Sequence, residues 1–301
     1  MKIAVGIATS GRRAVLSEML DYLARQIRTP DAIYLCPASD DDIDLDIGLS
    51  LDLGVPVHLV HGERGLCAQR NAILDAAAGY DLISFFDDDF LPKTCFLSRA
   101  ERLFTDNSDI VVATGKVLAD GIHGAGLSVS EAVAILEADV GDDANEPHRS
   151  VFNAYGCNMT FRMTAILDVG ARFDENLPLY GWQEDVDFCR RLPARGTIVR
   201  CPALRGVHLG HKSGRISGLR FGYSQVANPL YLVGKGTVGL RWALRLMACN
   251  VGANILGSLA SQTIIDRRGR LKGNLIAISD LLLRRLRPQR ILEIGSAMPK
   301  S

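Results

Sequence analysis

Ile83-Ser84-Phe85-Phe86-Asp87-Asp88-Asp89-Phe90-Leu91-Pro92 reads as an apolar strand that ends abruptly in three consecutive carboxylates. Like charges this close repel, so the triplet calls for a cation. Hard oxygen ligands at the mouth of a strand suit Mg²⁺ or Mn²⁺, ions that commonly complete their coordination with substrate phosphates. In an extended backbone alternate side chains point the same way, which puts Asp87 and Asp89 on one side and Asp88 on the other. A solvated acidic turn is the plain alternative, and the flanking apolar residues argue against it.

Working outward, apolar runs at Ile3 to Ala8, Ala32 to Leu35, Val55 to Val60, Leu82 to Phe86 and Ile110 to Thr114 predict strands. Helical stripes separate several of them: Val15, Met19, Leu20 and Leu23 form one, and Ala68 to Ala78 another. Such alternation predicts an α/β fold, a mostly parallel sheet flanked by helices with ligands at the carboxyl ends of the strands. The Asp triplet lies at such an end.

A second acidic cluster lies in Tyr180-Gly181-Trp182-Gln183-Glu184-Asp185-Val186-Asp187-Phe188-Cys189-Arg190-Arg191-Leu192, which reads as a turn entering a helix. Val186, Cys189 and Leu192 share one face, and Asp187 stands four residues before Arg191. Glu184 and Asp185 fall in the first turn, where the helix dipole favours ionised carboxylates. Asp185 is thereby able to accept a proton at neutral pH. Helix-start electrostatics alone would also place acids here.

These residues carry a resemblance. Phe86-Asp87-Asp88-Asp89 resembles the D-x-D motif of nucleotide-sugar glycosyltransferases with the GT-A fold, and Gly181-Trp182-Gln183-Glu184-Asp185 is similar to their acceptor-site Glu-Asp motif. Three more segments fit glycosyltransferase family two in order: Lys2 to Arg12 resembles its opening strand and turn, Arg64-Gly65-Leu66-Cys67-Ala68-Gln69-Arg70-Asn71 the segment before the second half of the nucleotide site, and Gly156-Cys157-Asn158-Met159 the segment beneath the sugar. The resemblance implies a metal-dependent enzyme of GT-A type, Rossmann-like in its sheet, that moves a sugar from a nucleoside diphosphate to a hydroxyl with inversion. Asp89, Asp87 and His208 would hold Mn²⁺ or Mg²⁺. Thr9, Arg12, Asp40, Arg70, Asp87, Asp88 and Asn158 would contact the donor. Asp185 would act as the base, with Glu184, Trp182 and Gly181 at the acceptor. The alternative to a metal role for His208 is that its neighbours Lys212 and Arg215 meet the diphosphate instead. UDP is the expected nucleotide, with dTDP and GDP as alternatives; the acceptor is a glycan or lipid-linked sugar of cell-surface polysaccharide synthesis.

Two departures from the family pattern stand out. The usual Asp after the second strand is missing from Ile33-Tyr34-Leu35-Cys36-Pro37-Ala38-Ser39, and the first available one is Asp40. Asp40 either takes over the base contact or, with the rest of the run to Asp46, belongs to a solvated loop. The opening turn has Ser10-Gly11 where the family has Asn.

At 301 residues, 48% hydrophobic and 23% charged, the chain has globular composition. Its seven cysteines show no paired spacing, and the start runs straight into a strand, so reduced thiols and a cytoplasmic setting are expected. The zero net charge hides a polarity. Residues 1 to 189 hold 14 Lys and Arg against 31 Asp and Glu, while residues 190 to 301 hold 20 against 3. Nucleic acid is not the expected partner, because no binding module accompanies the basic charge.

The catalytic domain is expected over residues 1 to 218, with a nucleotide-sugar half to about 115 and an acceptor half to 218. Residues 219 to 301 read as a basic amphipathic helical appendage. Within it, Val238 to Met247 resembles an interfacial helix, with Arg241 and Arg245 on one face and Leu240, Leu244 and Met247 on another. Leu246 to Ile265 is uncharged but too rich in Asn, Ser and Gln for a span, and a membrane-facing helical hairpin is the expectation. A basic turn at Arg267 to Arg270 and a last helix through Ile276, Leu281, Leu282 and Leu283 complete the segment. Peripheral binding to the anionic cytosolic face of a membrane is the expectation, with packing or homo-oligomer formation as the alternatives. From another functional class, a non-catalytic scaffold that binds a nucleotide sugar and recruits a membrane-associated assembly complex also fits. A nucleotidyltransferase is disfavoured by the lack of a Gly-rich basic phosphate loop near the N-terminus.

Overall fold

A computed structural model describes residues 1–43, 54–141, 146–213, 216–259 and 265–295. Within it the chain forms two compact units: residues 1–64, 68–173 and 188–214 make the first, and residues 65–67, 174–187 and 215–301 the second.

In the first unit, β1 (Ile3–Thr9), α1 (Arg13–Leu23), β2 (Ala32–Pro37), β3 (Val57–Leu59), α2 (Leu66–Ala76, from Ala68 on), β4 (Leu82–Asp87), β5 (Phe90–Pro92), α3 (Phe96–Asp106), β6 (Ile110–Asp120), α4 (Val129–Ala138), β7 (Arg149–Ser150), β8 (Asn158–Arg162), α5 (Met163–Val169) and β9 (Thr197–His208) follow one another. The described strands make one sheet in the order β3-β2-β1-β4-β8-β6-β9-β5, with β7 on β9. β1, β2, β3 and β4 run parallel, β8 is reversed between β4 and β6, and β9 returns parallel to β6. The mostly parallel α/β sheet is thus as expected.

β1, β2 and β4 are almost wholly apolar and buried, as central parallel strands covered on both faces require, with polar residues only at Ser84 and at the ends Thr9 and Asp87. Gly6 keeps β1 close to α2, since a Cβ there would lie 2.7 Å from Ile73 and 2.9 Å from Phe85. The strand expected over Val55 to Val60 shrinks to Val57–Leu59, and the one over Ile110 to Thr114 runs on to Asp120. That extension carries bulges against β9, where Gly115 approaches the Leu204 carbonyl too closely for any side chain.

In the second unit, α6 (Glu184–Arg190, to Asp187), α7 (Gly218–Lys235), α8 (Leu240–Ser258) and α9 (Arg267–Leu282) are the helices. α7 and α9 cross at glycines: a Cβ on Gly222 would meet the Arg270 carbonyl at 2.0 Å, and one on Gly273 the Leu219 carbonyl at 2.1 Å. Tyr223, Val226, Ala227, Ala277 and Ile291 form its apolar core. Beside them lies a buried amide network. Asn254 Nδ2 donates to Gln225 Oε1 at 2.7 Å and to Asn274 Oδ1 at 2.8 Å, and Asn274 Nδ2 donates to the Gly222 carbonyl at 2.6 Å.

Two expectations are corrected here. From Leu240 to Ser258, the two stretches read separately form a single helix, whose Asn250 and Asn254 both bond to Gln225 of α7; residues 260–264 lie outside the described residues. Arg267 to Arg270, expected as a turn, forms the first turn of α9, because Asp266 accepts from Gly269 N at 2.7 Å and caps it. Among the described residues no helix is long and apolar enough to cross a membrane.

Candidate active site

The Asp triplet stands where β4 ends: Asp87 is the last strand residue, Asp88 and Asp89 make a turn, and Phe90 opens β5. β5 pairs antiparallel with β9, so that Phe90 faces His208, and Leu209 N donates to the Asp89 carbonyl at 2.9 Å. Gly206 permits this pairing, since a Cβ would strike the Phe90 ring at 2.1 Å. β6 reaches the same place from the other side, with Asp120 opposite His208. Three segments distant in sequence, the β4–β5 stretch, the end of β6 and the end of β9, therefore converge on one point.

The alternation read from the triplet holds although a turn replaces the strand. Asp87, Asp89 and His208 each turn one ligand atom toward the others, all within 4.8 Å. Asp88 points away, accepting from Thr9 Oγ1 at 2.7 Å and from Arg12 Nη1 at 2.7 Å. Arg12 also lies 3.3 Å from Asp89 and donates to the Ser213 carbonyl at 3.0 Å, tying the turn after β1 to the segment after β9.

His208 Nε2 lies 3.3 Å from Asp89 Oδ1, while its Nδ1 is 2.9 Å from Asp120 Oδ1. Tyr155 Oη donates to the other Asp120 oxygen at 2.8 Å. Asp89 is 1% exposed, and His211 N donates to its Oδ2 at 2.8 Å. Among the described residues its buried Oδ1 has no well-formed hydrogen bond. A buried, under-satisfied carboxylate oxygen beside a second carboxylate and an imidazole is a donor set that Mn²⁺ or Mg²⁺ fits.

The charges are strongly coupled. Burial raises the Asp87 carboxyl against the pull of Arg70 and His208. Burial pushes Asp88 up to about 6, which Arg12 opposes and Asp89 reinforces. Burial also works on Asp89, but contact with His208 and the Arg12 charge outweigh it and hold that carboxyl below the usual range. For His208, burial acts downward, and the Asp120 and Asp89 carboxylates overcome it, raising the imidazole to about 10.

Other expected donor residues take supporting places. Arg70 is 2% exposed and reaches Asp87 Oδ1 at 3.0 Å and the Gly156 carbonyl at 2.9 Å. Asn158 is fully buried, accepting from Thr114 Oγ1 and Gly115 N at 2.7 Å each, and so fastens β8 to β6. Asp40 is exposed, whereas Asp42 is buried and accepts from Gly11 N at 2.5 Å and Ser39 Oγ at 3.0 Å. Asp44, Asp46 and Arg215 lie outside the described residues. Lys212 donates to the Gly121 and Ile122 carbonyls at 3.1 and 3.2 Å.

In the second unit, Gly181 has φ 60°, Leu179 60° and Gln183 79°. Left-handed Leu and Gln in one turn are strained and need outside support. α7 gives it: Asn228 Nδ2 donates to the Trp182 carbonyl at 2.7 Å, and Phe221 packs edge-on to Trp182 with centroids 5.6 Å apart. Glu184 is buried at the helix start, and Asp185 is half-buried, its Oδ1 accepting from Val186 N at 2.8 Å. Asp187, expected opposite Arg191, lies 2.7 Å from Lys235, which also holds Asp174 at 2.6 Å.

Asp120, Tyr155 and Lys235 escaped the sequence reading, and Asp42, read there only as part of a run that could be a solvated loop, is buried. For Asp120 a signal existed, a carboxylate at the end of an apolar run; the others have no local mark.

A sheet in which one reversed strand splits two parallel sets, with acids at the carboxyl end of β4, can be compared with solved structures. The S. aureus TarS segment 1–349 superposes with TM-score 0.57 at 14% identity, over 97% of this chain and 82% of that one. A mannosyltransferase from Pyrobaculum calidifontis, PcManGT, in complex with GDP-Man and Mn²⁺, does so with TM-score 0.55 at 13% identity, over 97% and 85%. The fold is GT-A. Against a longer TarS structure the TM-score is 0.53 at 16% identity, and this chain spans 44% of its length. No family profile and no curated protein sequence matches the chain. In GT-A terms, the Asp87, Asp89 and His208 set occupies the ligand end of the sheet, the place general to open α/β folds.

Proposed function

We propose that the protein is a metal-dependent glycosyltransferase that moves a sugar from a nucleoside diphosphate to a hydroxyl of a glycan or lipid-linked acceptor. The observation that carries this reading is the Asp87, Asp89 and His208 set, with ligand atoms within 4.8 Å at the carboxyl end of β4. The UDP-GlcNAc complex of TarS and the GDP-Man and Mn²⁺ complex of PcManGT support it on the same fold. UDP is the favoured nucleotide, ahead of dTDP and GDP.

A divalent ion bound by Asp89, Asp87 and His208 would neutralise charge on the departing diphosphate. Thr9, Arg12 and Asp88 shape the donor side, and Arg70 holds Asp87 in place. Asp185 takes the acceptor proton as its oxygen attacks the anomeric carbon and the bond to the diphosphate breaks, which inverts that carbon. Glu184, Trp182 and Gly181 orient the acceptor. The reaction belongs to polysaccharide synthesis at the cytosolic membrane face.

Thermal-shift titration with UDP, dTDP and GDP, each with and without Mn²⁺ or Mg²⁺, tests the reading. A nucleotide shift that needs the metal and disappears in Asp89→Asn is expected. Metal-independent shifts, or an unchanged shift in Asp89→Asn, would overturn it; metal-dependent binding without any donor turnover would favour the scaffold.

A further inference from the structure

Just over half of the exposed large apolar side chains among the described residues lie on or next to the last two helices of the second unit. On or just past α8, Leu240, Leu244, Ile255, Leu256 and Leu259 are exposed, and on or just past α9 so are Leu275, Ile278, Leu282 and Leu283. Leu256, Leu259 and Leu282 are 73%, 80% and 79% exposed, far beyond isolated surface leucines on a packed helix. The opposite faces are already used: Ala243 and Asn254 of α8, and Gly273, Asn274 and Ala277 of α9, are buried. Among the described residues of this unit, the outward stripes take no part in the packing of its core.

Basic side chains border them. Arg241 and Arg245 are exposed in the row next to that of Leu240 and Leu244, and Arg268, Lys272, Arg284 and Arg285 are exposed on and after α9. Among the described residues the three acids beyond residue 190 are all engaged elsewhere. Asp266 caps α9, Asp280 accepts from Tyr223 Oη at 2.9 Å, and Glu293 meets Arg287 at 2.6 Å and Arg290. No carboxylate of this segment is left to balance the exposed arginines.

We propose that the outward stripes of α8 and α9 are a docking surface for an anionic lipid bilayer, with the leucines entering the acyl boundary and the arginines meeting lipid phosphates. A second copy of the chain is the weaker occupant. A two-fold interface sets each patch against itself and would oppose arginine to arginine. Since no described helix is long and apolar enough to span, the binding is peripheral. The surface deepens the transferase reading by placing its acceptor at a membrane, and its test reads lipid binding alone, whatever the outcome of the nucleotide experiment.

Full-length protein is floated with phosphatidylcholine vesicles and with phosphatidylcholine–phosphatidylglycerol vesicles. Flotation with the anionic vesicles only, reversed by high salt, is expected. The double variant Arg241→Glu, Arg245→Glu should bind at least roughly 30-fold more weakly, from about 1 kcal/mol for each basic residue removed. Leu256→Asn with Leu282→Asn, both exposed and so not needed for folding, should also lose binding while keeping the parent's melting temperature. Absence of flotation, or flotation unaffected by either double variant, would overturn the proposal. A dimer in sedimentation that Leu256→Asn dissolves, without vesicle binding, would overturn it in favour of a second copy.

Discussion

His208 Nδ1 and Asp120 Oδ1 lie 2.9 Å apart, and the Tyr155 hydroxyl braces the same carboxylate at 2.8 Å. A carboxylate behind a metal-ligating imidazole fixes its ring and tautomer, and losing such a partner lowers metal affinity about 10- to 100-fold. Asp120→Asn should weaken Mn²⁺ binding by that factor, followed as the loss of the free-ion signal in electron paramagnetic resonance. Unchanged affinity would reduce Asp120 to a brace for the helical turn after β6.

Proton and metal compete for His208. Without metal the imidazole is held protonated up to about 10, because Asp120 and Asp89 favour the charged form. Metal ligation needs the neutral ring, so affinity should rise with pH until His208 titrates on its own, by at most about tenfold per unit. Calorimetry in buffers of different ionisation enthalpy should show proton release on Mn²⁺ binding; zero release at pH 7 would mean that His208 is not a ligand.

Asp185 can be separated from donor binding. Asp185→Asn should keep nucleotide affinity and lower turnover by about 10²- to 10⁴-fold, the size of a general-base contribution. Near-normal turnover would shift the base to Glu184 or Asp187.

Lys235 neutralises the fully buried Asp187 and the nearly buried Asp174. Breaking a buried pair costs about 3 to 5 kcal/mol, and partial exposure of the lysine reduces that figure. Lys235→Met should therefore destabilise the chain by roughly 2 to 3 kcal/mol in urea unfolding, with Lys235→Arg recovering much of it. No change in Lys235→Met would show that water already screens the pair.

Sequence revealed the elements whose residues are apolar on both faces and the site residues that are chemically conspicuous. β1, β2 and β4 announce themselves, as does the Asp triplet. β9 does not, because Arg200, Pro202 and Arg205 interrupt its pattern, although the strand is what delivers His208. α7 was hidden by Pro229 and by buried polar residues such as Gln225 and Asn228, which have partners only across helices. Asp120 and Lys235 act on residues 88 and 48 positions away, a separation that no local pattern encodes.

The short pairing of β5 with β9 makes the candidate metal centre a gauge of strand alignment. Only with Phe90 opposite His208 does the imidazole turn toward Asp87 and Asp89; a shift by one residue would offer Val207 or Leu209 instead, and the strand's alternation would send His208 to the opposite face. An ion that binds there selects the correctly threaded sheet over its near misses, so a metal added during refolding would act as a proofreader of topology before it ever served a reaction.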